Sequence, residues 1–284
     1  MAALPDPVDA STPTSPEDRR SAAARPRSAD APIFEARDVT KRFGRVVALR
    51  GVDFDLRAGE VHAIVGDNGA GKSTLIKILS GVLPPTSGEI LIDGSPVSLA
   101  SPREARSHGI ETVYQDLALA NHLDASANLF LGREALLPGI LGWLGFLDAR
   151  TMRRRTSEEL RHLKIDIPSV QSPVLGLSGG QRQAVAVARA HAWGSRIVIM
   201  DEPTAALGVR ESAMVLELIR EVRSNGVSVI MISHNLPETF AVADRITVVR
   251  LGRNVDTLET RDSSVEAIVG MMTGIAAPAG GGAA

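Results

Sequence analysis

The sequence predicts an α/β fold with a mostly parallel, buried β-sheet, and three features lead to that prediction. Apolar runs such as RIVIM (196–200) and VSVIMIS (227–233) are short and almost uninterrupted, which is typical of strands covered on both faces. Helical segments alternate with these runs, as expected for parallel strands joined by helical crossovers. A glycine-rich loop, GDNGAGKST (66–74), follows one such run and precedes a helix. With 44% hydrophobic residues over 284 positions, the chain can form one large core or two small ones.

The first part of the chain is predicted to contain an antiparallel β-subdomain. Residues 33–43 and 51–66 have the residue types of strands, and residues 88–97 read as a hairpin around an Asp-Gly turn. Two helices are predicted nearby, 72–80 and 101–109, the second with a serine N-cap and a proline at its first position.

The middle of the chain changes character, because helix signals dominate from about residue 116 to residue 176. We interpret 116–176 as a helical subdomain inserted into the α/β core. The helices predicted from there onward are 124–132, 148–163, 178–194, 210–226 and 263–274. The further strands are predicted at 110–115, 196–200 and 227–233 and in a late hairpin at 245–259.

We expect a single domain, 32–275, between disordered tails at 1–31 and 276–284 that are rich in small residues and proline or glycine. The net charge of −2 gives the chain as a whole no pull toward nucleic acid. The absence of cysteine excludes disulfides and cysteine metal sites. No apolar run reaches the roughly 18 residues of a membrane span. The nearest, LLPGILGWLGFL (136–147), is interrupted by proline and glycines.

The glycine-rich loop matches the pattern G-x-x-x-x-G-K-[ST], which predicts a P-loop NTPase core. Glycines let backbone N–H groups turn toward phosphate oxygens, and the following helix adds partial positive charge at its N-terminus. We expect Lys72 to reach the β- and γ-phosphates, Ser73 to ligate Mg²⁺ and Thr74 to lie near the α-phosphate. The residues expected to hold nucleotide here are Gly66, Asn68, Gly69, Gly71, Lys72, Ser73 and Thr74. The flanking strand and helix disfavour the alternative of a purely structural turn.

Polar residues follow three of the predicted strands. Asp201 and Glu202 end one strand, and we expect the first to hold Mg²⁺ and the second to orient or deprotonate the attacking water. His234 ends the next strand, where a structural histidine is the usual interpretation and a γ-phosphate contact is the alternative. Gln115 ends a third strand, either as a surface residue or as a site residue.

The segment LSGGQRQ (177–183) places a good N-cap, Ser178, and two glycines at the start of a helix, which makes a second anion site. With a P-loop upstream and an acidic strand end downstream, this pattern resembles the ATP-binding cassette (ABC) ATPases from about Phe34 to Gly274. A kinase or GTPase would not explain the segment.

The resemblance implies that two such domains pack head to tail, with each ATP held between one P-loop and the partner's LSGGQ segment. Lys72 and Ser73 would then act in cis. The residues implied to act in trans are Ser178, Gly179, Gly180 and Gln181. The adenine-stacking aromatic of the family falls on Phe43, the lid glutamine on Gln115 and the switch histidine on His234. Gln115 is also implied as a Mg²⁺ ligand, with Ser73 and Asp201.

A finer resemblance, to the ATPases of bacterial monosaccharide importers of the ribose, xylose and fructose type, lies in residues 113–134, 201–212 and 268–274. It implies a homodimer at the cytoplasmic face of the membrane, bound to permease subunits and serving a solute-binding protein. An ATPase of another transporter class remains an alternative. A non-transport ABC protein acting on nucleic acid would have tandem cassettes or coiled coils, and neither is present.

Two segments leave alternatives open. Gly208 stands where the family usually has the aspartate of the D-loop, which puts one cross-dimer contact in doubt. The run 136–147 is either core or an exposed patch that receives a permease loop, since contiguous exposed apolar surface marks partner sites. The neighbouring basic run RTMRRR (150–155) is interpreted as a solvated helix face.

Overall fold

The computed structural model describes residues 31–275, so the two predicted tails lie outside the described residues apart from Ala31. The strands are β1 Pro32–Phe43, β2 Val46–Arg57, β3 Val61–Val65, β4 Ser87–Ile92, β5 Ser95–Val97, β6 Ile110–Val113, β7 Ile197–Asp201, β8 Ser228–Ile232, β9 Arg245–Arg250 and β10 Arg253–Glu259. The α-helices are α1 Lys72–Leu79, α2 Pro102–Ser107, α3 Ala125–Phe130, α4 Ile140–Trp143, α5 Ala149–His162, α6 Gly179–His191, α7 Val209–Ser224, α8 Leu236–Val242 and α9 Val265–Thr273.

The strands form two sheets. A four-stranded antiparallel sheet has the order β2-β1-β4-β5, and a six-stranded sheet has the order β10-β9-β3-β8-β7-β6. In the second sheet the five strands from β9 to β6 run parallel, and β10 is antiparallel at the edge. The predicted fold class, a mostly parallel sheet with an antiparallel N-terminal sheet, is confirmed.

Alternate residues of each parallel strand enter different cores. Ile199 and the residues of the other parallel strands that point to the same side pack with α1 and the antiparallel sheet on one face. Val198 and its equivalents pack with α3 and α5 to α9 on the other face. This two-sided burial explains why the strands read as continuous apolar runs rather than as alternating ones. No helix among residues 31–275 is long and apolar enough to cross a membrane.

Helix caps account for most of the predicted boundaries. The side chains of Ser101, Asp124 and Asp148 accept hydrogen bonds from backbone N–H groups in the first turns of α2, α3 and α5. Helix α8 was not predicted, although Asn235 caps it and Pro237 lies in its first turn. Those two residues were the available signal.

The run 136–147 is not core. It forms a hairpin around the one-turn helix α4, and most of its apolar side chains are exposed. Of the two alternatives that the sequence left open, burial in the core is therefore wrong.

A partly buried ion pair joins the two sheets. Arg245, at the start of β9 and only 8% exposed, donates to both carboxylate oxygens of Asp55 on β2, at 2.6 and 2.8 Å. It also donates to Glu60 at 3.3 Å. Burial alone would raise the pKa of Asp55, but the hydrogen bonds and charge of Arg245 outweigh burial and hold that pKa below its ordinary value. The ionised pair is therefore part of the folded state.

We expect Arg245→Met to lower the free energy of unfolding by roughly 2–4 kcal/mol, because it leaves Glu60 buried without its cationic partner. The loss is below that of a fully buried pair because Asp55 is 39% exposed. The pKa of Glu60 is also lowered, since contacts with His62 and Arg57 outweigh its burial. Stability from both carboxylates is full above their unfolded pKa of about 4 and is lost as the pH falls through the lower folded values.

Urea unfolding at neutral and acid pH measures both effects. Arg261→Met is the matched control, because Arg261 is exposed and pairs with the adjacent Asp262. The assignment of the ion pair would be contradicted if Arg245→Met were as stable as the control and if its loss of stability at acid pH were the same as in the wild type.

Candidate nucleotide-binding site

At two positions of the P-loop, Gly66 and Gly71, the backbone has a shape that only glycine permits. At Gly66 an added Cβ would lie 2.1 Å from the carbonyl oxygen of Val249. Gly71 has φ +106°, and its Cβ would lie 2.8 Å from the carbonyl oxygen of Ala48. The loop therefore passes close to β9 and β2, and its backbone amides stay free of side chains. Helix α1 starts directly at Lys72, without a side-chain N-cap.

The ammonium of Lys72 is held inside the loop. Its Nζ donates to the carbonyl oxygens of Gly66 at 2.6 Å and Asp67 at 3.1 Å. Burial lowers the pKa of Lys72, although the carboxylates of Glu202, Asp67 and Asp201 favour the charged form. A partly desolvated ammonium with its methylenes packed in the loop is suited to a phosphate group.

The loop opens into a cleft of about 1100 Å³. Ten of the expected site residues line it: Asn68, Gly69, Gly71, Lys72, Ser73, Thr74, Gln115, Asp201, Glu202 and His234. Gly66 lies beneath the cleft as an acceptor for Lys72. Residues separated by up to 166 positions in the chain thus meet at one edge of the parallel sheet.

Two carboxylates lie at the end of β7 at this edge, Asp201 as its last residue and Glu202 directly after it. Burial raises the pKa of Asp201, and the charge of Glu202 raises it further, while Lys72 opposes both effects. Glu202 has φ +51°, a strained conformation for a residue with a side chain, and its N–H donates to the carbonyl of Ile232 on β8. The strain and the hydrogen bond fix where the Glu202 carboxylate points.

His234 is paired with Glu202. The Nδ1 atom of His234 lies 2.6 Å from Oε2 of Glu202. The imidazole itself is exposed, and the carboxylate is mostly buried. The histidine is therefore not a core residue, and it is one hydrogen bond away from the carboxylate at the end of the neighbouring strand.

Phe43 is placed at the rim. It is 47% exposed, lies opposite Val46 in the β1–β2 hairpin and is not among the residues that line the cleft in the described part of the chain. The wall beside it is formed by Val46 and Ala48 of β2 and by the turn between β9 and β10.

The wall beside Phe43 was not predicted from the sequence. Arg50, Arg253 and Leu251 line the cleft, yet no motif includes them. The turn between β9 and β10 reaches the P-loop because the N–H of Gly252 donates to the carbonyl of Ala70. That contact depends on the strand order, which the local sequence does not encode.

The LSGGQ segment lies apart from the cleft. Ser178 and Gln181 form a capping box at the start of α6, with the Gln181 N–H donating to Ser178 Oγ and the Ser178 N–H donating to Gln181 Oε1. None of the four residues Ser178 to Gln181 is among the described residues that line the cleft.

Glu211 is a further residue of interest that sequence reasoning missed. Its carboxylate accepts from the N–H of Gly180, in α6, and from the N–H of Gly208, the N-cap of α7, both at 3.3 Å. Hydrogen bonds from the Ser178 side chain and these two N–H groups lower the pKa of Glu211. The available signal was the spacing Gly-x-x-Glu, which gives the half of a capping box in which the N3 carboxylate accepts from the N-cap N–H. One carboxylate therefore ties the LSGGQ segment to the D-loop.

Comparisons with known proteins agree with this geometry. The ABC transporter family model matches residues 49–205. The chain is 52% identical to the fructose import ATP-binding protein FrcA of Rhizobium meliloti, over 88% of this chain and 97% of that protein. It is 46% identical to the xylose/arabinose import ATP-binding protein XylG of Sulfolobus acidocaldarius, over 86% and 95% respectively.

Solved structures agree as well. The dimeric post-hydrolysis structure of the ATP-binding cassette MJ0796 bound to ADP and Pi matches with a TM-score of 0.67 and 26% identity, over 80% of this chain and 99% of that one. The family match covers more than half of the chain and includes both the P-loop and the strand that ends on Asp201 and Glu202. The chain therefore belongs to the ABC transporter family, as one of its ATP-binding cassette ATPases.

Proposed function

We propose that this ATPase powers the import of a monosaccharide through separate permease subunits, with a solute-binding protein delivering the sugar. The observation that carries the proposal is the near full-length identity to fructose and xylose/arabinose import proteins. The peripheral position at the cytoplasmic face of the membrane follows from the permease partners. The solute is named only by its class, because the residues that line the cleft are suited to a nucleotide and do not identify the sugar.

The cleft supports Mg²⁺-ATP as the bound species. The hydroxyl of Ser73, the amide oxygen of Gln115 and the carboxylate of Asp201 all line it, and such an all-oxygen set fits Mg²⁺. The metal would neutralise charge between the phosphates. Lys72 and the loop amides would hold the phosphates, while Val46 and Ala48, in the wall near Phe43, would receive the adenine.

Glu202 and His234 are proposed to organise hydrolysis. The fixed carboxylate of Glu202 would accept a hydrogen bond or a proton from the attacking water. His234, bonded to that carboxylate through Nδ1, would keep it oriented and present its other face to the γ-phosphate.

The proposed active unit is a homodimer. Within the described residues the LSGGQ segment does not reach the cleft of its own chain, so Ser178, Gly179, Gly180 and Gln181 would complete the partner's site. ATP bound between two chains would favour the dimer by mass action.

We expect Glu202→Gln to retain ATP and to lose turnover by about 10²–10⁴-fold, because the water loses its orienting carboxylate. Lys72→Ala should instead lose nucleotide affinity, since the phosphates lose their main cationic partner. Fluorescent-nucleotide binding and phosphate release separate the two effects. Glu217→Gln is the matched control, because Glu217 is an exposed carboxylate paired within its own helix. Normal hydrolysis by Glu202→Gln would remove Glu202 from the mechanism.

The same Glu202→Gln protein tests assembly. With ATP and Mg²⁺ it should run as a dimer in light scattering, and without nucleotide mainly as a monomer. A monomer at saturating ATP and high protein concentration would count against the composite site.

The D-loop glycine is expected to affect communication between sites more than chemistry. Gly208 has φ −73°, which any residue adopts, and an added Cβ has no neighbour closer than 4.0 Å. Gly208→Asp therefore fits, and it places a carboxylate beside Glu211. We expect turnover of the reconstituted transporter to change by less than about tenfold, that is, ~1.4 kcal/mol in the barrier. Gly208→Ala is the control, and wild-type turnover that is negligible until the aspartate is introduced would refute this expectation.

Transport itself is tested in proteoliposomes that contain the ATPase together with a candidate monosaccharide permease. ATP-dependent uptake of labelled fructose, xylose or ribose is expected with wild type and not with Glu202→Gln. Outward movement of solute, or stimulation only by a non-sugar, would favour another ABC transporter class.

A further inference from the structure

The segment Leu136–Leu147 is a closed hairpin. Its arms are joined by the Leu136–Leu147 bridge and by hydrogen bonds from Leu137 N–H to Phe146 O and from Asp148 N–H to Ala135 O. At the tip, the N–H groups of residues 143–146 donate to carbonyls within residues 139–142. The hairpin thus satisfies many of its own backbone groups, which lowers the cost of moving it out of water.

The side chains of the hairpin are apolar on every side. Trp143 is 85% exposed and Ile140 is 76% exposed, and a further five are at least half exposed: Leu136, Leu141, Leu144, Phe146 and Leu147. No charged residue occurs from Ala135 to Leu147. Here both arms and the tip point outward, so the apolar surface is a protrusion rather than a groove.

Positive charge lies at the base of the hairpin. Residues 134–158, which include both flanks of the hairpin, contain four arginines, two glutamates and one aspartate, a net charge of +1. Arg150, Arg153, Arg154 and Arg155 are all exposed in the first two turns of α5, which begins two residues after the hairpin ends. Arg154 is paired with Glu158, and the single aspartate is occupied as the cap of α5. The charge is therefore available at the same end of the helix as the apolar tip.

We propose that this hairpin inserts into the headgroup region of an anionic lipid surface. Exposed Trp, Phe, Leu and Ile on one element with arginines beside them is the composition of interfacial membrane anchors. The arginines pair with anionic headgroups, and the indole of Trp143 suits the boundary between headgroups and acyl chains. The proposal rests on the residues of the hairpin and not on the solute or on transport.

Vesicle binding by the full-length protein tests the proposal. Co-sedimentation with vesicles of phosphatidylglycerol and phosphatidylcholine should exceed that with phosphatidylcholine alone and should weaken with salt. Trp143→Ser combined with Leu144→Ser should reduce binding by about tenfold or more, because two apolar side chains no longer leave water. Arg153→Gln and Arg155→Gln should each reduce it by about fivefold on anionic vesicles.

Two controls match these variants. Ile275→Ser removes an equally exposed apolar side chain, 88% exposed, outside the hairpin. Arg261→Gln removes an exposed charge outside α5. Both should bind like wild type. ATP turnover and thermal unfolding of all variants should stay unchanged, which separates a failure of the hairpin from a failure of the nucleotide site.

Tryptophan emission reports insertion directly. In a Trp193→Phe background Trp143 is the single tryptophan, and its emission should shift to the blue on anionic vesicles. Absence of vesicle binding by wild type, or equal binding by the Trp143/Leu144 variant, would overturn the proposal. So would binding without a blue shift. Loss of permease binding in detergent by that variant, without any effect on vesicle binding, would assign the hairpin to the permease instead.

Discussion

The structure depends on one constraint, the parallel register of β3, β8, β7 and β6. Parallel strands end at the same edge of a sheet, so the loops that leave them are brought together whatever their distance along the chain. The P-loop leaves β3, Asp201 ends β7 and Glu202 follows it, His234 follows β8, and Gln115 follows β6. Each would be an ordinary polar strand end in isolation. The hydrogen bonds that align the four strands are what make them one site.

The antiparallel sheet completes the cleft but is attached differently. It contributes Val46 and Ala48 to the wall and is joined to the parallel sheet by the core around α1 and by the Arg245 ion pair. A buried charge contributes little net stability by itself, because desolvation offsets its attraction. It does demand a defined partner geometry, which restricts how the two sheets can be arranged at the ends of β2 and β9 that lie away from the wall.

Much of this could be predicted from the sequence, for identifiable reasons. The run RIVIMDEP predicts both the strand and the residue at which it ends, because a strand that is buried on two faces has no polar residue until the sheet ends. Side-chain contacts between distant segments could not be predicted. The bond from Glu211 to Gly180 spans 31 residues and depends on how α6 packs against α7. Whether residues 136–147 were buried was also undetermined, since composition is the same for a core segment and for a protruding hairpin.

The Glu211 carboxylate has a consequence for the energetics of assembly. In the single chain it already occupies N–H and hydroxyl donors at the start of α6, so those donors are satisfied before any phosphate arrives. In the proposed dimer, a γ-phosphate at the LSGGQ segment would replace one anion with another rather than fill an empty position. The affinity between the chains would then depend on how much more strongly these donors bind the γ-phosphate than they bind the Glu211 carboxylate. Such an exchange favours a complex that forms with nucleotide and separates readily when the nucleotide is spent.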